Sequence, residues 1–194
     1  MKKPAKLGVF RRLDALYGKM QKEYDALAGP TGFTCKDCSS NCCVSYFQHH
    51  TYVEWAFLWK GLKAKPQDEM GEILARAREY VEHGRKMLAA GDKPHMMCPL
   101  NVQGLCAAYE HRLMICRLHG VPHVLEGRQG RREYPGCFRF DRFAEGFEIT
   151  PLDRTPLYRQ LAQIEMDFLG KNAGRVPKVN LTTAEMILAG PPRI

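Results

Sequence analysis

The chain has 194 residues, 45% of them hydrophobic and 26% charged, and its 29 Lys and Arg against 21 Asp and Glu leave a formal net charge of +8. That apolar content excludes a disordered chain. The 17 Gly and 12 Pro exclude a collagen-like or low-complexity one, and eight cysteines are too sparse for a small disulfide scaffold. A basic, cysteine-bearing globular domain remains, long enough to bury a sizeable core.

The N-terminus reads MKKPAKLGVFRRLDAL, in which Arg11, Arg12 and Asp14 interrupt the place of an apolar signal region, so no signal peptide is expected. No run approaches the ~18 uninterrupted apolar residues of a membrane-spanning helix. The expectation is a soluble, cytoplasmic protein with no membrane partner. In such a reducing compartment clustered cysteines read as metal ligands or catalytic thiols rather than disulfides.

Leu7, Phe10, Leu13, Tyr17, Met20, Tyr24 and Leu27 recur every three or four residues and predict a helix over 7–28, ended by Gly29-Pro30-Thr31-Gly32. Thr51-x-x-Glu54 has the form of a capping box opening a second helix through Val53, Trp55, Phe57, Leu58 and Trp59, stopped near Pro66. Met70, Ile73, Leu74, Ala77, Tyr80, Val81, Met87 and Leu88 predict a third over 67–90, closed by Gly91 and Pro94. From 95 to 150 helical periodicity weakens and Cys, Pro, Gly, Arg and His become frequent. Loops, short strands and one short helix around 107–117 are expected there. Thr155-Pro156, followed by Leu157, Leu161, Ile164 and Phe168, predicts a helix ending at Gly170. Thr182-x-x-Glu185 caps a last short one, ended by Gly190-Pro191-Pro192. The fold class expected is mainly α: four to five helices packed around an irregular cysteine-rich metal-binding unit with short strands. A single domain over 1–194 would carry the motif region at 35–140, with flanking helices at 7–28 and 155–190.

Cys35-x2-Cys38-x3-Cys42-Cys43 places four thiols within nine residues. A Cys-x2-Cys turn sets both sulfurs on one side, which suits a soft metal gripped by thiolates. The neighbours Cys42 and Cys43 point apart in most backbones, so each can serve a different site. Four further cysteines follow in Cys98-Pro99-Leu100, in Gly104-Leu105-Cys106-Ala107-Ala108-Tyr109-Glu110-His111-Arg112, in Cys116-Arg117, and at Cys137.

Together these motifs resemble the CxxCxxCC, or YkgJ-type, family of zinc- or iron-chelating proteins, to which the cysteine-rich part of flagellin lysine N-methylases is related. The resemblance covers residues 35–140. It puts Cys35, Cys38, Cys42, Cys43, Cys98, Cys106, Cys116 and Cys137 on the eight expected positions, with Gly104, Tyr109, Arg112 and Arg117 matching as well. Val44, Leu113 and Asn101 depart from the pattern. The resemblance implies metal chelation by the eight cysteines, and through the methylase relatives it implies chemistry on a protein lysine side chain.

Structural zinc sites usually pair two tight knuckles, whereas here one knuckle is followed by widely spread cysteines. Cysteine-only ligation with scattered ligands suits an iron–sulfur cluster of the four-iron type, the reading favoured over zinc. Eight thiolates divide into two four-ligand sites. The order Cys-x2-Cys-x3-Cys reverses the radical-SAM signature, so that chemistry is not inferred. Gly127-Arg128-Gln129-Gly130 reads as a basic turn rather than a nucleotide loop. No catalytic residue or redox partner is legible.

The remaining candidates take mostly structural readings. His49-His50 and His119-x3-His123 read as surface or supporting histidines, and Gly120 and Pro122 argue against a helical metal pair. His111 is placed to orient a cysteine ligand. Glu110 and Arg112 read as an ion pair stiffening the Cys106–Cys116 loop, with Arg112 and Arg117 also able to stabilise thiolates. Residues 128–143, RQGRREYPGCFRFDRF, interleave arginines with rings as a single-stranded nucleic-acid groove does. Glu133 and Asp141 interrupt them, and a half-buried strand is the reading preferred over a nucleic acid partner. Trp55 and Trp59 read as core.

Overall fold

In a computed structural model, which describes residues 3–34, 38 and 42–194, long helices form where the apolar stripes predict them. These are α1 (Lys3–Ala28), α2 (Tyr52–Leu62), α3 (Gln67–Ala89) and α6 (Thr155–Leu169). Three short helices, α4 (Met114–Leu118), α5 (Phe140–Ala144) and α7 (Thr183–Leu188), bring the number among the described residues to seven. The sequence reading of four to five missed the shortest, since a single turn carries no readable periodicity. Strands are few and short. β1 (Asn101–Val102) pairs antiparallel with β2 (Leu105–Cys106), while β3 (His123–Gly127), β4 (Gly130–Tyr134) and β5 (Leu152–Asp153) form a sheet in the order β4-β3-β5. The class is mainly α. Among the described residues no helix is long and apolar enough to cross a membrane.

The chain divides into two compact units, each built from two stretches. One takes the described residues of Met1–Lys36 with Cys116–Phe168; the other takes those of Asp37–Ile115 with Leu169–Ile194.

In the first unit α1 buries Leu13, Leu16, Tyr17 and Met20, and α6 buries Leu157, Leu161, Ile164 and Phe168. Phe10 stacks on Phe168 at 6.1 Å, and Arg12 pairs with Asp167 at 2.5 Å. The side chain of Leu7 lies outside the described residues. A smaller apolar cluster joins Ala28, Phe33, Val121 and Phe140, with Cys137 packed against it. Gly136, at φ +83°, passes so close to the chain that a Cβ there would lie 2.5 Å from the Val121 carbonyl carbon. Only glycine fits both the left-handed backbone and that approach. The Cys137 amide beside it donates to Gly120 O at 2.9 Å.

Gly127 and Gly130 close the β3–β4 hairpin, so the basic turn predicted at 127–130 forms. β4 is exposed at every residue, and Phe138 is 68% exposed while Phe140 is buried. The half-buried strand expected over 128–143 is therefore corrected to an exposed edge strand followed by a short helix. As an edge strand, β4 pairs only with β3. At the start of α6, Thr155 does not act as the cap. Its amide donates to Asp153 Oδ1 at 2.9 Å, and its hydroxyl accepts from Glu126 N at 2.9 Å. Arg154 is buried beside it and donates to Leu118 O.

In the second unit α3 packs on α7. The indoles of Trp55 and Trp59 both donate to Met186 O, at 3.1 and 2.9 Å, and Trp55 reaches Gly190 O as well, at 2.8 Å. The carbonyls at the C-terminal end of α7 thus find donors in the buried Trp55 and the half-buried Trp59. The predicted capping box at Thr182 is complete. Its hydroxyl accepts from Glu185 N, and the Glu185 carboxylate accepts from Thr182 N at 2.8 Å.

The same pattern at Thr51-x-x-Glu54 does not form a box. Thr51 makes no side-chain cap, and its hydroxyl donates to Glu54 Oε2 at 2.8 Å. The other carboxylate oxygen accepts from Met114 N at 2.6 Å. Glu54 is buried, so this long-range partner wins over the local one.

Candidate metal centre

The second unit gathers cysteines from three stretches of chain through backbone hydrogen bonds. Cys42 and Cys43 begin a short 3₁₀ turn over Cys42–Val44. Cys98 N donates to Cys43 O at 2.9 Å, and Met96 N donates to Val44 O at 3.2 Å, laying the 96–98 segment along that turn. Asn101 N returns to Cys98 O at 2.9 Å, and β1 then pairs with β2 in a register that puts Asn101 opposite Cys106. The tight turn between them uses Gln103 at φ 50° and Gly104 at φ 85°. Two consecutive left-handed residues make a turn of the kind that suits the twist of a two-stranded ribbon. Asn101 Oδ1 accepts from Gly104 N at 3.0 Å and locks it.

The electrostatics bind these thiols into one system. Cys43 is drawn down to about 6, first by its side-chain hydrogen bond with Cys42, then by the Asn101 side chain and the Arg112 charge, against an opposing push from burial. Cys98 is pushed up to about 12, chiefly by burial and further by the charges of Cys43 and Cys106. The amide of Leu100 and the charge of Arg76 pull it the other way. Burial also raises Cys106, while the Ala108 amide, Arg112 and Lys65 lower it. In both Cys98 and Cys106 the amide two residues onward donates to the sulfur, as a chain wrapping around a thiolate allows. Arg112 is held for its role by Tyr109. Its Nε donates to Tyr109 O at 3.1 Å, and its guanidinium lies 3.6 Å from the Tyr109 ring centroid.

Two buried donors in the same neighbourhood have no hydrogen-bond partner, Arg76 Nη2 and Asn101 Nδ2. Buried polar hydrogens without acceptors are rare in native proteins, and each marks a place where an anionic acceptor would be welcome. Thiolates carrying a metal are such acceptors. Cys42, Cys43, Cys98 and Cys106 offer the donor type that thiophilic metals take. The side chains are not closed around a point. Among the described residues, no three His, Cys, Asp or Glu side chains form a group that could hold a metal ion as they stand.

The other sequence-predicted ligands fall elsewhere. Cys38 is half-buried in the same unit, while Cys116 and Cys137 belong to the first. Cys35 lies outside the described residues. None of the seven described cysteines is placed in a disulfide. Arg117, expected to back a thiolate, sits 4.0 Å from the Tyr17 ring centroid.

His111 packs its ring against Phe57 at 4.7 Å and presses on Gly61. A cleft of about 530 Å³ opens between α2 and the Cys106–His111 stretch, with Lys60, Lys65, Cys106 and Tyr109 on its walls. His49 is buried, bridged to Leu181 and hydrogen-bonded to Thr183 Oγ1 at 3.0 Å, and so has a structural role. His119 and His123 are not a helical pair, since β3 begins at His123, whose ring stacks on Tyr134 at 4.7 Å.

The spacing of the cysteines did not point to the contacts of Arg76 with Pro99 O or of Asn101 with Gly104 N. Asn101 was visible only as a departure from the cysteine pattern. Arg76, one charge among several on α3, gave no signal. Compared with protein-family models, curated proteins and solved structures, the chain matches none.

Proposed function

We propose that the chain is a cysteine-cluster metalloprotein that binds iron–sulfur, of the four-iron four-sulfur type, through its cysteines, in a redox, metal-handling or structural role. The observation that carries the reading is the gathering of Cys42, Cys43, Cys98 and Cys106 by backbone hydrogen bonds beside two buried donors that lack acceptors. The eight-cysteine pattern supports it from the sequence side, and all eight stay in the proposal as ligands. Iron–sulfur groups are held by cysteine thiolates, and hydrogen bonds to their sulfurs tune them. When bound, such a group supplies one-electron chemistry or a structural staple. The chain's own residues supply the sulfurs, and the amides of Leu100 and Ala108, with Arg112 and Lys65 at Cys106, pull against the burial that raises Cys98 and Cys106.

Zinc is a second reading, favoured by one specific point: five described cysteines lie within one unit, more than the four that a single tetrahedral site takes. Clustered thiolate ligands suit a reducing compartment, and with that reading we assign the protein to the cytoplasm.

The test is metal content of the full chain, purified anaerobically, beside Cys98→Ala and Cys43→Ala. Stoichiometric iron and sulfide in the wild type, lost in both variants, is the expected result. Metal retained without both cysteines contradicts this ligand set.

A further inference from the structure

We propose that the first unit binds single-stranded nucleic acid on one face of its three-stranded sheet, through the Tyr134 ring and Arg132 on that face and the exposed Phe138 that follows β4. The site uses none of the second unit's cysteines and stands whether or not they hold a metal. A half-buried strand over 128–143 would turn these side chains inward; β4 is instead exposed at every residue.

The register of the sheet sorts its charges. His123 pairs with Tyr134, Leu125 with Arg132 and Glu126 with Arg131 in one unbroken ladder, and residues directly opposite each other share a face. β5 continues the pattern, with Leu152 beside His123 and Asp153 beside Val124. The three acids of the sheet, Glu126, Glu133 and Asp153, therefore fall on one face together with Arg131, which lies 3.5 Å from Glu133. To the other face, which holds His123, Leu125, Leu152, Arg132 and Tyr134, the strands contribute no Asp or Glu. There the Tyr134 ring stacks on His123 at 4.7 Å, within 10° of parallel. Because β4 is the edge strand, the second side of the Tyr134 ring is turned away from β3, and the residue is 38% exposed. A base laid on that side extends a stack already two rings deep. Arg132, two residues back on the same face, donates to Gln129 Oε1, a neutral acceptor that leaves its charge uncompensated. Among the described residues, Arg131 is the only one of the five arginines at 128–142 paired with a carboxylate. The bond from Cys137 N to Gly120 O holds Phe138 near the His123 end of the sheet, where its ring is 68% exposed. Rings for bases beside cations for phosphates match an unpaired strand, whereas a duplex keeps the faces of its bases stacked on one another.

The experiment is fluorescence anisotropy of the full chain with labelled oligo(U) RNA and oligo(dT) DNA of about 12 nucleotides, a length that such grooves span. Duplex DNA of the same length and phosphatidylserine–phosphatidylcholine vesicles are the competing probes. The variants are Tyr134→Leu, Phe138→Ala, Arg132→Gln and Arg131→Gln, the last removing the same charge from the opposite face. Circular dichroism checks that each variant folds, and Phe138→Ala, at an exposed ring, keeps the test open should Tyr134→Leu not fold. Single strands should bind more tightly than the duplex, and the RNA and DNA arms identify which sugar is preferred. The ring variants should bind on the order of 5–100-fold more weakly. Arg132→Gln should flatten the slope of log affinity against log salt by about 0.7, and Arg131→Gln by less. Failure to bind either single strand, or a duplex bound as tightly, overturns the inference. So do equal effects of Arg131→Gln and Arg132→Gln with none from either ring variant, the signature of diffuse attraction to net charge. Binding to vesicles but to neither oligonucleotide, weakened by the same variants, assigns the face to an anionic membrane surface and overturns it as well.

Discussion

The Met114 amide donates to the Glu54 carboxylate at 2.6 Å, joining α2 to the first turn of α4 across 60 residues of sequence. Met114 is the first residue of α4, so its N–H has no partner within that helix. Glu54 satisfies it while also accepting from the Thr51 hydroxyl at 2.8 Å. One buried carboxylate therefore fixes the start of the element that carries Cys116.

Removing that acceptor leaves a buried amide unpaired. Glu54→Ala is expected to destabilise the fold by about 2–3 kcal/mol, the range for an unsatisfied buried group that had a charged partner. Glu54→Gln, which keeps an oxygen for Met114 N, should cost less. Chemical denaturation of the three proteins checks the order. Equal stability of Glu54→Ala and wild type would remove the bond from any account of the fold.

Gly61 lies under the His111 ring, and a Cβ there would fall 2.5 Å from His111 Cγ. The ring cannot simply swing away, since it is packed against Phe57 at 4.7 Å. Gly61→Ala should therefore destabilise by about 1–3 kcal/mol through overpacking, despite alanine's better helix propensity. A thermal melt decides the sign, because propensity alone predicts a rise in Tm.

His49 gives a pH dependence with a definite sense. Burial, with a smaller push from His50, lowers it from the ordinary 6.5 to about 4. The folded protein thus keeps His49 neutral while the unfolded chain takes up its proton near pH 6.5. The stability linked to His49 is fully present above 6.5 and is lost as the pH falls towards 4. His123, also lowered to about 4 by burial and then by Arg154, adds in the same direction. His49→Gln should show a shallower fall of Tm over this window than wild type. Parallel curves for the two proteins would show that His49 does not carry the effect.

The long helices were legible because their burial patterns repeat over many turns: Leu13, Leu16, Tyr17 and Met20 on α1, and Leu157, Leu161, Ile164 and Phe168 on α6. Local grammar was less decisive. Thr51-x-x-Glu54 and Thr182-x-x-Glu185 are the same motif, yet only the second closes into a capping box. The difference lies in Met114, whose unpaired amide no local reading of residues 51–54 can see. The cysteine spacing gave no sign that Cys116 and Cys137 fall in a different unit from Cys43, Cys98 and Cys106. Nor could spacing reveal that Arg76 bonds to Pro99 O, 23 residues further along the chain. Sites assembled by long-range contacts leave little trace in the segments that build them.

The central claim is that these cysteines hold an iron–sulfur group, and the most direct measurement is spectroscopic. Protein prepared anaerobically and never exposed to chelator should be brown, with broad thiolate–iron absorbance near ~400 nm. Reduction with dithionite should bleach that absorbance and produce the electron paramagnetic resonance signal of a reduced cluster. Colourless protein carrying stoichiometric zinc and silent after dithionite would contradict the iron–sulfur account.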